Sequence, residues 1–220
     1  MKTISIDERL KDIASLVDNC HSIADVGTDH GYLPIFLIQT KKADRAYATD
    51  IAQMPLKKAF ENIRYFQLTD KITTILCNGL QDLPNVDTII IAGMGGHLMI
   101  NILKECKIHF HSLILQANNN VPALRNYLTL NNYKIIDEKI SYCHKKYYEI
   151  IKVLKGKQTL NPLEIEYGPI NLTRKSDLFI KKWSNELAKY QNILNDFQGS
   201  TSEYHRLETR MAELQAILKK

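Results

Sequence analysis

The stretch Ile23-Ala24-Asp25-Val26-Gly27-Thr28-Asp29-His30-Gly31-Tyr32-Leu33-Pro34 decides the fold. An apolar run ends in an acid, and glycines follow two and six positions after that acid. This reads as a strand, a tight turn and the start of a helix. Gly27 lets the backbone turn sharply and approach a ligand closely, and Gly31 lets the next helix pack against the sheet. The spacing is Gly-x-x-x-Gly, not the Gly-x-Gly-x-x-Gly of pyrophosphate-binding turns, and the charge of Asp25 would repel a pyrophosphate. An acid at a strand end suits a ligand with a cationic end, such as the amino-acid part of S-adenosylmethionine. A purely structural turn uses the same residues, so this motif alone leaves both readings open.

Working outward, Ile6, Leu10, Ile13, Ala14 and Val17 recur at helical spacing, with Ser5 or Asp7 as the cap. Strands are predicted at Ser22–Val26, Ala46–Asp50, Thr73–Cys77, Thr88–Ala92 and Leu113–Gln116, and helices at Tyr32–Gln39, Pro55–Phe66, Leu98–Lys104 and Pro122–Asn131. Such alternation implies a parallel sheet covered on both faces. Tyr133–Ser141 and Tyr147–Leu154, joined by Cys143-His144-Lys145-Lys146, then read as a closing antiparallel pair. Five parallel strands and a final hairpin indicate an α/β fold, a Rossmann-like class I methyltransferase domain over residues 1–166, and not the dinucleotide-binding fold with two parallel halves.

The pattern changes again after Gly168-Pro169. From about Lys175, Phe179, Trp183, Leu187, Tyr190, Leu194 and Phe197 keep helical spacing, Gly199-Ser200-Thr201-Ser202 breaks it, and Leu207, Met211, Leu214, Ile217 and Leu218 resume it. Residues 167–220 therefore read as an antiparallel helical hairpin, a short coiled coil, in which each apolar stripe needs the other.

Composition narrows the function classes. The 220 residues are 45% hydrophobic and 24% charged, an ordinary globular balance that excludes a disordered or collagen-like chain. No apolar run approaches the roughly 20 residues that span a bilayer, and no signal-peptide core is visible, so a cytoplasmic protein without membrane contact is expected. Cys20, Cys77, Cys106 and Cys143 lie far apart and read as free buried thiols. His109 and His111 lack nearby partners, so no metal is expected. The net charge of +5 permits a polyanionic partner without requiring one.

Three further predicted strand ends strengthen the ligand reading. Asp50 closes the second strand, where an acid accepts hydrogen bonds from ribose hydroxyls; a helix N-cap is the alternative use. Asn78-Gly79-Leu80 follows the third strand and offers an amide to an adenine edge, and Ala92-Gly93-Met94-Gly95-Gly96 follows the fourth. Ligands in open parallel sheets bind beyond the carboxyl ends of the strands, where all four segments fall.

Asp25–Pro34 together with Ala92–Gly96 resembles the bacterial tRNA adenine N1-methyltransferases that modify position twenty-two of tRNA. Asn78-Gly79-Leu80, Leu113–Asn118, Arg125, Tyr147–Ile151 and the terminal hairpin fit the same family, so the resemblance spans nearly the whole chain. This sequence departs from the family pattern at Asn78, where an acid is usual, and at Ala117 of Gln116-Ala117-Asn118, where proline is usual. The resemblance implies S-adenosylmethionine as cofactor and tRNA as substrate. Together with the residue reading it places the donor against Asp25, Gly27, Thr28, Gly31, Asp50, Ile51, Asn78, Gly79 and Ala92. Adenine N1 carries no proton to remove, so the chemistry rests on positioning. The carbonyls of Ala92, Gly93 and Met94, or the side chains of Asp29 and His30, are the candidate acceptors for the adenine amino group. The Met94 side chain is a candidate apolar contact for the flipped base, with loop packing as its alternative. N1 lies on the pairing edge, so the target base must be extruded or unpaired. Arg125, Lys145, Lys146, Lys181, Lys182, Arg206 and Arg210 are the candidate RNA contacts, each with an ordinary solvated face as its alternative. The tail from 167 on carries nine basic and six acidic residues, a slight excess of positive charge.

Two other readings compete: a class I methyltransferase of a different RNA, a protein or a small molecule, with the hairpin used for dimerisation, and a non-catalytic module with a vestigial pocket. The pair Asp25 and Asp50 argues against the vestigial pocket. A monomer is expected, with a dimer as the alternative.

Overall fold

The structure is a computed structural model that describes residues 2–195 and 200–219; Phe197 and Gly199 of the expected hairpin lie outside the described residues. In chain order the elements of the sheet and its covering helices are α1 (Glu8–Ser15), β1 (Cys20–Val26), α2 (Tyr32–Gln39), β2 (Ala43–Asp50), α3 (Gln53–Tyr65), β3 (Ile72–Leu76), β4 (Thr88–Met94) and α4 (Gly96–Lys104). There follow β5 (Ser112–Ala117), α5 (Val121–Leu130), β6 (Tyr133–Cys143), β7 (Lys146–Lys155) and α6 (Pro162–Tyr167). The chain continues with α7 (Pro169–Arg174), α8 (Asp177–Asn195) and α9 (Thr201–Leu218).

The seven strands form one sheet in the order β3-β2-β1-β4-β5-β7-β6. The five strands β1 to β5 run parallel, while β7 lies antiparallel to β5 and β6 antiparallel to β7. The Rossmann-like arrangement predicted from the alternation is the one observed. Strand periodicity explains how both faces are filled. Ile23, Ile90 and Ile114 point to the layer with α1 and α2, and Ala24, Ile89, Ile91, Leu113 and Leu115 to the layer with α4 and α5.

Several element ends differ from the sequence reading for identifiable reasons. Asp7, not Ser5, caps α1, its Oδ1 accepting from the Leu10 N–H at 2.8 Å. Helix α3 starts before Pro55, which is tolerated because first-turn N–H groups have no intrahelical acceptor. Strand β4 continues past Ala92 through a bulge to Met94 and stays paired with β5. Helices α6 and α7, each of six residues opened by a proline, are too short to show periodicity and were not anticipated. All four cysteines are free, but only Cys77 is buried. Among the described residues no helix is long and apolar enough to cross a membrane.

The β6–β7 hairpin is fixed by buried charge. Arg125, on α5, is fully buried; its Nε donates to Glu138 Oε1 at 2.8 Å and its Nη2 to Glu149. Its Nη1 also donates to the carbonyls of Ile165 and Glu166, which ties α6 to the same point. Burial opposes the charge on Arg125, but Glu149 and Glu138 more than offset it and raise its pKa. The expected RNA contact at Arg125 is therefore corrected: its guanidinium is used up inside the protein. On the outer strand, the β6–β7 register shifts between Ile135 and Asp137.

The chain divides into two units between Ile170 and Asn171, within α7 and a few residues beyond the composition change. In the second unit, α8 and α9 pack on each other, and Lys175 Nζ, just before α8, donates to the carbonyl of Lys219 at the far end of α9. That bond places the start of α8 beside the end of α9, so the pair is antiparallel. Phe179, Trp183, Leu214 and Ile217 are its buried residues.

Arg125→Met should lower stability by about 3–5 kcal/mol, because two buried carboxylates lose their cation. Gly168→Ala should also destabilise, since its φ of +89° and a Cβ driven into the Glu138 carboxylate are both unfavourable. Urea unfolding measures both, and wild-type stability in Arg125→Met would refute the structural role.

Candidate functional site

Strand register sets the rim of the sheet. Val26 lies beside Thr49 and Ile91, and Asp50 beside Leu76. The segments after β3, β2, β1 and β4 therefore line up in the order Asn78, Asp50, Gly27, Ala92. At about 4.8 Å between strands, the row spans roughly 14 Å. The strand order reverses between β1 and β4, and ligands of open α/β sheets bind at such a switch point.

A pocket of about 410 Å³ opens there, lined by Asp7, Arg9, Leu10, Asp25, Gly27, Thr28, Asp29, His30, Gly31, Tyr32, Leu33, Ala92 and Gly93. Eight of the residues singled out from sequence are thus brought together. Gly27 has φ +78°, and its N–H and that of Thr28 both donate to the Thr49 carbonyl at 2.8 Å, turning the chain across β2. A Cβ on Gly27 would collide with the terminal methyl of Met94. The Met94 side chain therefore packs over the turn. Gly31 has φ +70° and caps α2, and its open side faces Ala59 of α3 at 3.2 Å. The close approach it permits is helix to helix, correcting the expected helix-to-sheet contact.

The other rim residues stand apart from this pocket. Asn78 and Gly79 line a smaller hollow of about 160 Å³ with Leu98 and Ile102. Asp50 is not a helix cap: its Oδ1 accepts from the Ala52 N–H at 2.8 Å, and α3 begins after Ala52 without a side-chain cap. Its second oxygen remains for another donor. Ile51 is 69% exposed, an apolar side chain on the rim with no core to explain it.

The electrostatic centre of the pocket is Asp25. Burial pushes its pKa up to about 6; the Thr28 hydroxyl and the Arg9 cation pull it down, and Asp50 raises it. Thr28 Oγ1 is close enough to exert this effect but forms no hydrogen bond of regular geometry, and like Thr49 Oγ1 it is a buried polar atom without a partner. A desolvated carboxylate beside an orphan hydroxyl suits a cationic, hydrogen-bonding guest. His30 Nε2 lies 3.2 Å from Asp29 Oδ2, its ring stacks on Tyr32, and its carbonyl accepts from Asn62 Nδ2 at 2.9 Å, so the loop is braced as well as facing the pocket.

Sequence reasoning missed Arg9 and the way the Gln116-Ala117-Asn118 segment is used. Arg9 Nη1 donates to Gln116 Oε1 at 2.6 Å, Gln116 Nε2 to Asn118 Oδ1 at 3.1 Å, and Asn118 Nδ2 to the Gly93 carbonyl at 2.6 Å. With the Asn118 N–H on the Met94 carbonyl at 2.8 Å, this chain holds the glycine loop without the proline usual in the resembled family. Nothing in the periodicity of α1 marks Arg9, because it lies off the apolar stripe. Asp7, Cys143 and His144 also bring their ligand-type atoms within 4.8 Å of one another, but Asp7 is already the cap of α1.

The basic candidates are spread over both units. Lys145 and Lys146 are exposed at the β6–β7 turn, where His144 and Lys145 both have positive φ. Lys181 and Arg206 are exposed on α8 and α9. Lys182 lies 4.1 Å over the Trp183 ring, and Arg210 pairs with Glu213 at 3.2 Å.

Comparison with known proteins agrees with this geometry. Residues 23–218 match the family model described as tRNA (adenine(22)-N(1))-methyltransferase. The Bacillus subtilis tRNA (adenine(22)-N(1))-methyltransferase is 30% identical over 232 aligned positions, covering 100% of this chain and 98% of the relative. A Streptococcus pneumoniae structure in complex with S-adenosyl-L-methionine is 32% identical, with 98% and 100% of the two chains covered and a TM-score of 0.88. The M. capricolum TrmK structure with S-adenosyl-homocysteine is 35% identical, with 99% and 100% covered and a TM-score of 0.86.

Because the folded pKa of Asp25 lies above the ordinary 3.8, the folded state holds an extra proton between about pH 4 and 6. Its ionisation therefore costs stability above pH 6, and that cost disappears as pH falls through this window. Asp25→Asn should make the ligand-free protein about 1–3 kcal/mol more stable at pH 7.5, with the gain shrinking toward pH 4. Urea unfolding across this range measures it, and a variant less stable than wild type at pH 7.5 would contradict the assignment.

Proposed function

The chain belongs to the tRNA (adenine(22)-N(1))-methyltransferase family and uses S-adenosylmethionine to methylate N1 of an adenine in tRNA; from that premise we propose which groups of the pocket hold donor and base. The observation that carries the assignment is the buried Asp25 carboxylate with the Thr28 hydroxyl beside it, at a turn where Gly27 leaves the backbone bare.

The donor's amino-acid end lies at Gly27, Thr28, Gly31 and Ala92, with its ammonium on Asp25. The free oxygen of Asp50 accepts from the ribose, and the exposed Ile51 covers one face of the adenine. Asn78 takes the adenine edge through its amide, where the family usually has an acid, with the Gly79 backbone beside it. This order along the rim matches an extended nucleoside joined to an amino acid. The bound donor supplies an electrophilic methyl group on a positively charged sulfur.

The protein's own part is orientation. Adenine N1 has a free lone pair and no proton to lose, so no side chain is needed as a base. What the chain supplies is a fixed approach line and an acceptor for the amino group beside N1, which raises electron density on the ring. The Gly93 carbonyl is the best-held candidate, since Asn118 fixes its direction, with the Ala92 and Met94 carbonyls next to it. Asp29 and His30 border the other side of the pocket and position the base. Lys145, Lys146, Lys181, Lys182, Arg206 and Arg210 form the proposed phosphate contacts. The same proposal takes the protein as a monomer acting on tRNA in the cytoplasm.

Incubating the protein with methyl-labelled S-adenosylmethionine and unmodified tRNA, followed by nucleoside mapping, should place label on N1 of the adenine at position twenty-two. Label on another nucleoside or on protein alone would overturn the substrate assignment. Lys145→Glu combined with Lys146→Glu should weaken tRNA binding about tenfold or more at 0.1 M salt and reduce the salt dependence, while donor affinity stays unchanged. Equal tRNA affinity at all salt concentrations would remove the turn from the RNA track.

A further inference from the structure

Where α1 meets the β6–β7 turn, three side chains converge that methyl transfer leaves unused. Asp7, Cys143 and His144 each bring an atom of metal-ligand type within 4.8 Å of the others. Cys143 Sγ and His144 Nδ1 are already 3.2 Å apart. A tetrahedral zinc site, with Zn–S about 2.3 Å and Zn–N about 2.1 Å, has ligand-to-ligand edges of about 3.6 Å. The sequence spacing gives no sign of the cluster, because Asp7 lies far from the other two in the chain. The fold brings it there by fastening α1 to β6, where Lys139 Nζ pairs with Asp12 at 2.7 Å and donates to Ser15 Oγ at 3.1 Å. His144 and Lys145 turn the chain with φ of 49° and 62°, a left-handed conformation that residues other than glycine rarely adopt. The cap of α1 occupies Oδ1 of Asp7, and a carboxylate keeps a second oxygen with its own lone pairs.

The donor set is one sulfur, one imidazole nitrogen and one carboxylate oxygen. Sulfur and imidazole select zinc-like ions over Mg²⁺ and Ca²⁺, which take oxygen ligands. Ionised Cys143 and Asp7 together balance the charge of a divalent cation, which the exposed Lys145 next in the chain would otherwise repel. We propose that Asp7, Cys143 and His144 form a zinc-type site that clips the β6–β7 turn to the start of α1. Three protein ligands leave the fourth tetrahedral position to water. As the sulfur–metal bond forms, the Cys143 S–H bond breaks and its proton passes to solvent, with nothing oxidised or reduced. The clip fixes the turn that carries Lys145 and Lys146.

Titrating the full chain with Zn²⁺, in the presence of a phosphine reductant, should show one equivalent bound and about one proton released at neutral pH. Co²⁺ as probe should give the visible absorption of a tetrahedral ion and a near-ultraviolet thiolate-to-metal band. Cys143→Ser should abolish that band. Asp7→Asn, which keeps the helix cap, and His144→Ala should each weaken Zn²⁺ binding at least about tenfold. Zn²⁺ at about 100 times its Kd should raise the thermal unfolding midpoint of the wild type by about 5–10 °C and leave Cys143→Ser unmoved. Wild-type protein without the thiolate band overturns the site, whatever the variants do. A band that persists in Cys143→Ser belongs to another cysteine and equally refutes it. Zn²⁺ affinity unchanged in both Asp7→Asn and His144→Ala reduces the binding to capture by a single thiol, and the proposal fails.

Discussion

Everything at the site depends on β1 and β4 lying side by side at the point where the strand order turns back. The helices leaving their two ends diverge to opposite faces, so the gap above this pair is left open. Into that gap the chain places a carboxylate that water would otherwise solvate, and backbone that carries no side chain. Both features are unfavourable for folding alone. Burial raises the Asp25 pKa, and the left-handed turn at Gly27 admits no larger residue beneath Met94. A guest that returned the lost solvation would offset both.

The remainder of the first unit keeps that gap in shape. The β6–β7 hairpin is added antiparallel at the far side of the sheet, and Arg125 couples it to α5 and α6 through two carboxylates and two carbonyls. Such a cluster is a weak source of net stability but a strong source of uniqueness, because every alternative arrangement leaves a charge unpaired in the interior. Lys139 to Asp12 at 2.7 Å and Lys152 to Asp18 at 2.7 Å then fasten the same hairpin to the α1 region. Arg9 depends on this fastening, since its stacking partner Tyr148 belongs to β7 while Arg9 itself belongs to α1.

Strand placement was legible because buried parallel strands are short apolar runs bounded by turns, and the runs ending at Val26, Asp50 and Ala92 show this directly. The acids at two strand ends and the glycines after them were legible for the same reason: they stand directly at the ends of those runs. What sequence could not reveal is pairing at long range. Arg125 looks like any helix-surface cation until Glu138 and Glu149 are brought to it, and Arg9 looks solvent-facing until Gln116 and Tyr148 are. Likewise the space cleared by Gly31 was assigned to the sheet because the approach of α3, through Ala59, has no local signature. The segment Gln116-Ala117-Asn118 shows the converse. One position departs from the family pattern, yet side-chain hydrogen bonds from Asn118 hold the loop that a proline would stiffen.

The register shift on β6 has a bearing on solubility. An outermost strand offers a row of unpaired amides and carbonyls to any neighbouring chain. The bulge at Ile135 to Asp137 interrupts that row, and Lys134 and Lys139 place charge on either side of it. On the opposite border, β3 is only five residues long. A flat ribbon seeking to extend this sheet into a fibril meets a kinked, charged margin at one end and a stub at the other.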